Sequence, residues 1–225
     1  MDSQEFAKYF DHTLLKPFVP LADFEDFCRT GVRLGVKMLA VNPAMVAFCK
    51  ERVGGSGVLV GAAVSFPFGQ TTPADKLFET RTAITNGADE IDYVINIVEL
   101  KSKNFGFIQE EMAQIVQVCR DRGVTAKAIF ENCYLTQEEK RALCEIASQA
   151  RPDFIKTSTG YGTGGATAED VAFMRQNTDA AVKVKASGGI KTLDQVYALI
   201  GAGAERIGCS ATAEIIREFA MREGR

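Results

Sequence analysis

Short apolar runs alternate with longer stretches of helical periodicity from one end of the chain to the other. The runs are Tyr9–Leu14, Lys37–Val41, Val58–Phe66, Glu90–Ile95, Ala126–Glu131, Asp153–Lys156, Ala181–Ala186 and Arg206–Gly208, each of strand length. Between them, apolar residues recur every three or four positions. In EEMAQIVQVCRDRG, for example, Met112, Ile115, Val116 and Cys119 share one helical face. Gly87, Gly123 and Gly203 stand where helices should end, and Thr136 with Glu139 has the spacing of a capping box. Eight strand–helix pairs in 225 residues predict an α/β fold, a (β/α)8 TIM barrel with little insertion. No linker, low-complexity tract or shift of composition divides the chain, so residues 1–225 read as one catalytic domain.

A barrel strand sends alternate residues inward. In EIDYVIN the apolar Ile91, Tyr93 and Ile95 take the helix side, leaving Glu90, Asp92, Val94 and Asn96 inside. The same parity turns Lys127, Ile129 and Glu131 inward in the fifth strand and Phe154, Lys156 and Ser158 in the sixth. In the seventh it turns Lys183 and Lys185 inward. Four consecutive strands thus aim charges into one interior, and Asp92, Glu131, Lys156 and Lys185 lie toward the C-terminal ends, where barrel enzymes place their chemistry. A self-neutralising ion network is the bland account of any one of them. For the set it is expensive, because each buried ion costs several kcal/mol unless its geometry is excellent.

Neighbouring lysines have a chemical consequence. A free lysine with a pKa of about 10.4 is roughly 0.04% neutral at pH 7, too little for an effective nucleophile. A second ammonium and partial desolvation both disfavour its charged form, and catalytic lysines reach roughly 7–8. Such an arrangement suits Schiff-base chemistry, with an adjacent carboxylate moving protons. The residues leave other readings open: a different phosphate-handling barrel enzyme, an isomerase acting by acid–base chemistry alone, or a barrel that binds a phosphorylated metabolite without turnover.

Gly160, Gly162 and Gly165 spell G-x-G-x-x-G, but after a sixth strand. The next strand ends in lysine and serine, where a dinucleotide fold expects an acidic residue. Phosphate sites in barrels usually form from the loops after strands seven and eight. Here those are ASGGIKT, with Gly188 and Gly189, and GCSAT, with Ser210 near the start of the last helix.

Composition narrows the field further. The formal net charge of −3 gives no reason to expect nucleic-acid or anionic-membrane partners. The first ten residues lack the basic and apolar regions of a signal peptide, and six scattered cysteines without a C-x-x-C fit reduced thiols, so a cytoplasmic location is expected. His12 is the only histidine, which leaves no multi-histidine zinc site and makes a Ser-His-Asp hydrolase unlikely. It reads as a packed or hydrogen-bonded residue.

The stretches DHTLLKP, GADEID, FENCYLT, DFIKTSTGYGTGGAT, VKASGGIKT and RIGCSA, in this order, resemble the deoxyribose-phosphate aldolase family over nearly the whole chain. The resemblance implies that Lys156 forms a Schiff base, Lys185 lowers its pKa and Asp92 relays protons. It implies that Asp11, Thr13, Glu131, Thr157, Gly160, Gly188, Gly189 and Ser210 surround the sugar and its phosphate. The implied reaction splits 2-deoxy-D-ribose 5-phosphate into acetaldehyde and glyceraldehyde 3-phosphate with no metal or organic cofactor. The implied partner is this phosphosugar, in a protein that is a homo-oligomer, dimer or tetramer. Tyr161 departs from the pattern, standing where some members place a lysine.

Overall fold

Outward positions of the strands are almost all apolar, and this is what closes the sheet under a ring of helices. In the computed structural model, which describes residues 1–223, eight parallel strands form a closed barrel in sequential order β1 to β8. They are β1 (Phe10–Leu14), β2 (Met38–Val41), β3 (Leu59–Val64), β4 (Glu90–Val94), β5 (Thr125–Ile129), β6 (Phe154–Lys156), β7 (Lys183–Ser187) and β8 (Arg206–Cys209). Around the barrel lie α1 (Ser3–Ala7), α2 (Leu21–Leu34), α4 (Pro73–Thr85), α6 (Phe105–Arg120), α7 (Gln137–Ala150), α8 (Ala168–Asn177), α9 (Leu193–Gly201) and α10 (Thr212–Glu223). Two shorter ones are α3 (Val46–Arg52) and α5 (Ile97–Lys101). Among the described residues, no helix is long and apolar enough to cross a membrane.

Local chemistry sets the element ends. The capping box at α7 forms, with Thr136 N donating to Glu139 at 2.8 Å and Glu139 N to Thr136 Oγ1 at 3.2 Å. Gly87, Gly123 and Gly203 adopt left-handed φ of +100°, +65° and +109° after α4, α6 and α9. Met112, Ile115, Val116 and Cys119 of α6 are all buried on one face. Most strands are shorter than their apolar runs, β3 and β7 for identifiable local reasons. β3 stops at Val64 because Ser65 turns to φ +49° and donates its N–H to Glu79. β7 starts at Lys183 because Asp179 captures the N–H groups of Ala181 and Val182 in a turn.

Two features carry no sequence expectation. Helix α1 places Phe6 in stacked contact with Phe219 of α10, ring centroids 4.1 Å apart, tying the start of the chain to its last helix. Outside the barrel, Lys76 and Glu111 form a fully buried pair at 2.6 Å. Lys76 also donates to Val94 O at 2.8 Å and Glu111 accepts from Asn96 N at 3.2 Å, so the pair grips the backbone just beyond Asp92. Burial pulls the Lys76 pKa down and pushes that of Glu111 up.

Candidate active site

The inward residues are unequally divided around the barrel. β2 and β3 contribute Met38, Ala40, Gly61 and Ala63, whereas β1 and β4–β8 contribute Asp11, Glu90, Asp92, Lys127, Lys156, Lys185 and Arg206, all buried. Asp92 is the hub. Its Oδ2 accepts from Lys156 Nζ at 2.9 Å and Lys185 Nζ at 2.6 Å, and its Oδ1 accepts from Lys127 Nζ at 2.6 Å. Below it, Lys127 also pairs with Glu90, Lys185 with Asp11, and Arg206 with both Asp11 and Glu90. Gly208 makes room for this packing: a Cβ there would stand 3.1 Å from Lys185 Cε.

Four cations, Lys127, Lys156, Lys185 and Arg206, face three carboxylates, Asp11, Glu90 and Asp92, which leaves one positive charge in excess when every group is ionised. Burial favours the neutral form of each member, but the ion pairs oppose it unequally. For Lys127 and Arg206 burial is outweighed by the carboxylates around them, and their pKa values rise. For Asp11 burial is outweighed by Arg206, Lys185 and Lys127, bringing it to about 2, and Asp92 is likewise held well below the usual carboxylate range by its three lysines. Lys156 goes the other way. Burial, with help from Lys185 and Lys127, outweighs the attraction of Asp92 and brings its pKa down to about 8. The excess proton of the cluster is therefore most easily lost from Lys156.

Above the cluster a cavity of about 450 Å³ opens at the C-terminal ends of β1, β6, β7 and β8. Of the seven buried charges only Lys156 lines it. Thr13, Gly160, Gly188, Gly189 and Ser210 line the same cavity. Gly160, Gly188 and Gly189 hold φ of +87°, +87° and +74°. A Cβ on Gly188 would sit 3.2 Å from the Cα atoms of both Gly160 and Gly165, so the β6 and β7 loops meet backbone to backbone. Ser210 stands two residues before the start of α10, an end that favours anions.

Other residues expected at the substrate stand behind this wall. Asp11 is fully buried in the ion cluster. Thr157 faces away from the barrel interior and exchanges hydrogen bonds with Ser187, donating to its carbonyl at 3.2 Å and accepting from its N–H at 3.1 Å. Glu131, at φ +58°, accepts from the N–H and hydroxyl of Thr159. These two fix the β6 and β7 loops rather than line the cavity. Asp92 and Lys185 lie one hydrogen bond below Lys156. Lys183 has the expected parity but the wrong depth: as the first residue of β7 it is exposed at the opposite mouth, 3.7 Å from Glu205. His12 faces the helices, stacked on Phe27 at 4.6 Å, and burial lowers its pKa to about 4.

The G-x-G-x-x-G glycines pack loops together. A Cβ on Gly162 would meet Cys133 Sγ at 2.7 Å, and one on Gly165 would meet the Gly188 carbonyl oxygen at 2.2 Å. Gly165→Ala is expected to cost about 1–3 kcal/mol in urea unfolding by forcing the β7 loop away; unchanged stability would show that the loops are free to separate.

Sequence reasoning missed Arg206, the cation that ties Asp11 to Glu90, and two cavity-lining lysines, Lys16 and Lys191. Parity with Gly208 and Ser210 could have revealed Arg206. The lysines stand in the loops after β1 and β7, at the end where the phosphate glycines were already placed.

Fold and site together define an enzyme of the (β/α)8 class, with one lysine presented to its cavity above a buried carboxylate–lysine cluster. The sequence matches the DeoC/LacD family aldolase model across residues 4–212, and the chain belongs to that family. It is 47% identical over 218 residues to the deoxyribose-phosphate aldolase of Lactobacillus acidophilus, covering 97% of this chain and 92% of that one. It is 46% identical over 216 residues to that of Bacteroides thetaiotaomicron, covering 96% and 91%. The fold superposes with a TM-score of 0.90 on the tetrameric deoxyribose phosphate aldolase of Aeropyrum pernix, at 27% identity, with 97% of this chain and 92% of that chain covered.

Proposed function

We propose that this aldolase reversibly cleaves 2-deoxy-D-ribose 5-phosphate into acetaldehyde and D-glyceraldehyde 3-phosphate through a Schiff base on Lys156. The observation that carries this reading is the position of Lys156: it alone of the buried charges reaches the cavity, and burial brings its amine to about 8. At pH 7 about a tenth of such an amine is neutral, some hundreds of times more than for a free lysine.

The neutral amine attacks C1 of the open-chain sugar, and loss of water from the carbinolamine leaves an iminium. The C2–C3 bond then breaks: its electron pair moves toward the iminium nitrogen to form an enamine, and the C3 hydroxyl gives up its proton as it becomes the new aldehyde. Protonation of the enamine at C2 and hydrolysis release acetaldehyde and free Lys156. Asp92 bridges the nitrogens of Lys156 and Lys185. A proton leaving the nucleophile therefore has a carboxylate one hydrogen bond away and an ammonium beyond it. The phosphate lies between Gly188, Gly189 and Ser210, where backbone N–H groups and the α10 terminus favour an anion. In this reading the enzyme works in the cytoplasm in deoxyribose phosphate catabolism as a homo-oligomer, a dimer or tetramer.

Incubation with deoxyribose 5-phosphate is expected to release acetaldehyde at a rate that a chelator leaves unchanged. Failure to release it, or its loss on chelation, would overturn the proposal.

A further inference from the structure

The cavity wall carries three lysines and, among the described residues, no carboxylate. Lys156 forms its floor above the ion cluster. The other two, Lys16 and Lys191, are exposed, and neither has an ion-pair partner among the described residues. Lys50 and Lys101, by contrast, are neutralised by Asp89 and Glu139. Two unpaired ammonium groups around one opening make a local positive field that the chain does not cancel.

Strand pairing fixes where they stand. β1 pairs β8 with His12 opposite Cys209, so the segment after Leu14 emerges beside Ser210. β7 pairs β8 on its other side with Ser187 opposite Gly208. Lys16 and Lys191 therefore flank the Ser210 loop from opposite sides. The third side, the β6 loop, offers no cation: Tyr161 packs edge-on to Phe66 at 5.5 Å, and burial raises its phenol pKa, keeping it neutral. Lys16 is backed by Phe18, whose ring lies 6.0 Å from the ammonium and is itself on the cavity wall.

We propose that Lys16 is a specificity-determining residue that supplies positive charge to the substrate phosphate from the β1 side, facing Lys191 across the Ser210 loop. This inference rests on the phosphorylated substrate proposed above. It assigns the preference for a phosphorylated over an unphosphorylated sugar partly to a solvated cation, so the preference is screened by salt.

The test compares kcat/KM for deoxyribose 5-phosphate and for 2-deoxyribose in the intact enzyme and in Lys16→Met and Lys16→Arg. The ratio of the two is expected to fall about tenfold in Lys16→Met and to return to within about twofold in Lys16→Arg. Raising ionic strength from about 0.05 to about 0.5 M should lower the ratio for the unmodified enzyme and much less for Lys16→Met. A ratio within about twofold of the unmodified enzyme in Lys16→Met, or equal losses on both sugars, would overturn the inference while leaving the reaction intact. If the unmodified enzyme releases acetaldehyde from neither sugar, the proposed reaction falls and this inference with it.

Discussion

Lys156→Met is expected to lower kcat for sugar cleavage by about 10⁴-fold or more while making the folded protein more stable near neutral pH. The loss follows from removal of the one buried charge, among the described residues, that reaches the cavity. The gain follows from the direction of its pKa shift. The amine titrates at about 8 in the folded chain against 10.5 for an ordinary lysine. Between those values the unfolded chain holds the additional proton, so stability rises with pH there. Below pH 8 both states are protonated, and the buried ammonium costs about 3 kcal/mol relative to its neutral form. Methionine fills similar volume without that cost, and Asp92 keeps Lys127 and Lys185, each at 2.6 Å, so no carboxylate is left unpaired. Urea unfolding at pH 7 should show a gain of about 1–3 kcal/mol, shrinking as pH approaches 10. Borohydride reduction with acetaldehyde should leave an ethyl group on Lys156 of the parent enzyme and none at this site in the variant. An adduct confined to surface lysines would sink the nucleophile assignment, and a variant clearly less stable at pH 7 would sink the account of its burial.

Parity and depth were not equally legible in the sequence. Strand alternation has a period of two, so a single apolar partner such as Ile91 or Val184 decides which way Asp92 or Lys185 points. Depth along the barrel axis depends on how strands are staggered, and that belongs to pairing between segments far apart in the chain. Hence Lys183 has the right parity, but it pairs opposite Phe154 at the far mouth and stays in solvent. Arg206 pairs opposite Lys185, yet its guanidinium sits below, on Asp11 and Glu90. The loops were legible where glycine is needed and obscure where side chains lock them. Gly188 had a backbone reason to be noticed, whereas Thr157 and Glu131 act through hydrogen bonds to Ser187 and Thr159 that no local pattern announces.

Lys185→Met is expected to reduce kcat/KM at pH 7 by about 10²–10³-fold through two separable losses. Removing this lysine takes one positive charge from the cluster, leaving Lys127, Lys156 and Arg206 against Asp11, Glu90 and Asp92, three against three. With the excess charge gone, deprotonating Lys156 would now leave a net negative cluster in a buried site. Burial remains the first cause lowering the Lys156 pKa, so the amine does not return to its ordinary value, but it loses the repulsion of Lys185. The rising limb of kcat/KM against pH, expected near 8 in the parent enzyme, should therefore move up by about one pH unit, removing about tenfold of the neutral amine at pH 7. That part is recovered by assaying above the limb. The remainder is not, because Asp92 no longer has an ammonium on Oδ2 to complete the proton path away from Lys156. Asp11 retains Arg206 and stays ionised, so a general collapse of the cluster would not explain a shifted limb. If Lys185→Met kept its limb at about 8 and lost activity evenly across pH, Lys185 would serve only the proton path, and the depressed pKa of Lys156 would be due to burial and Lys127 without it.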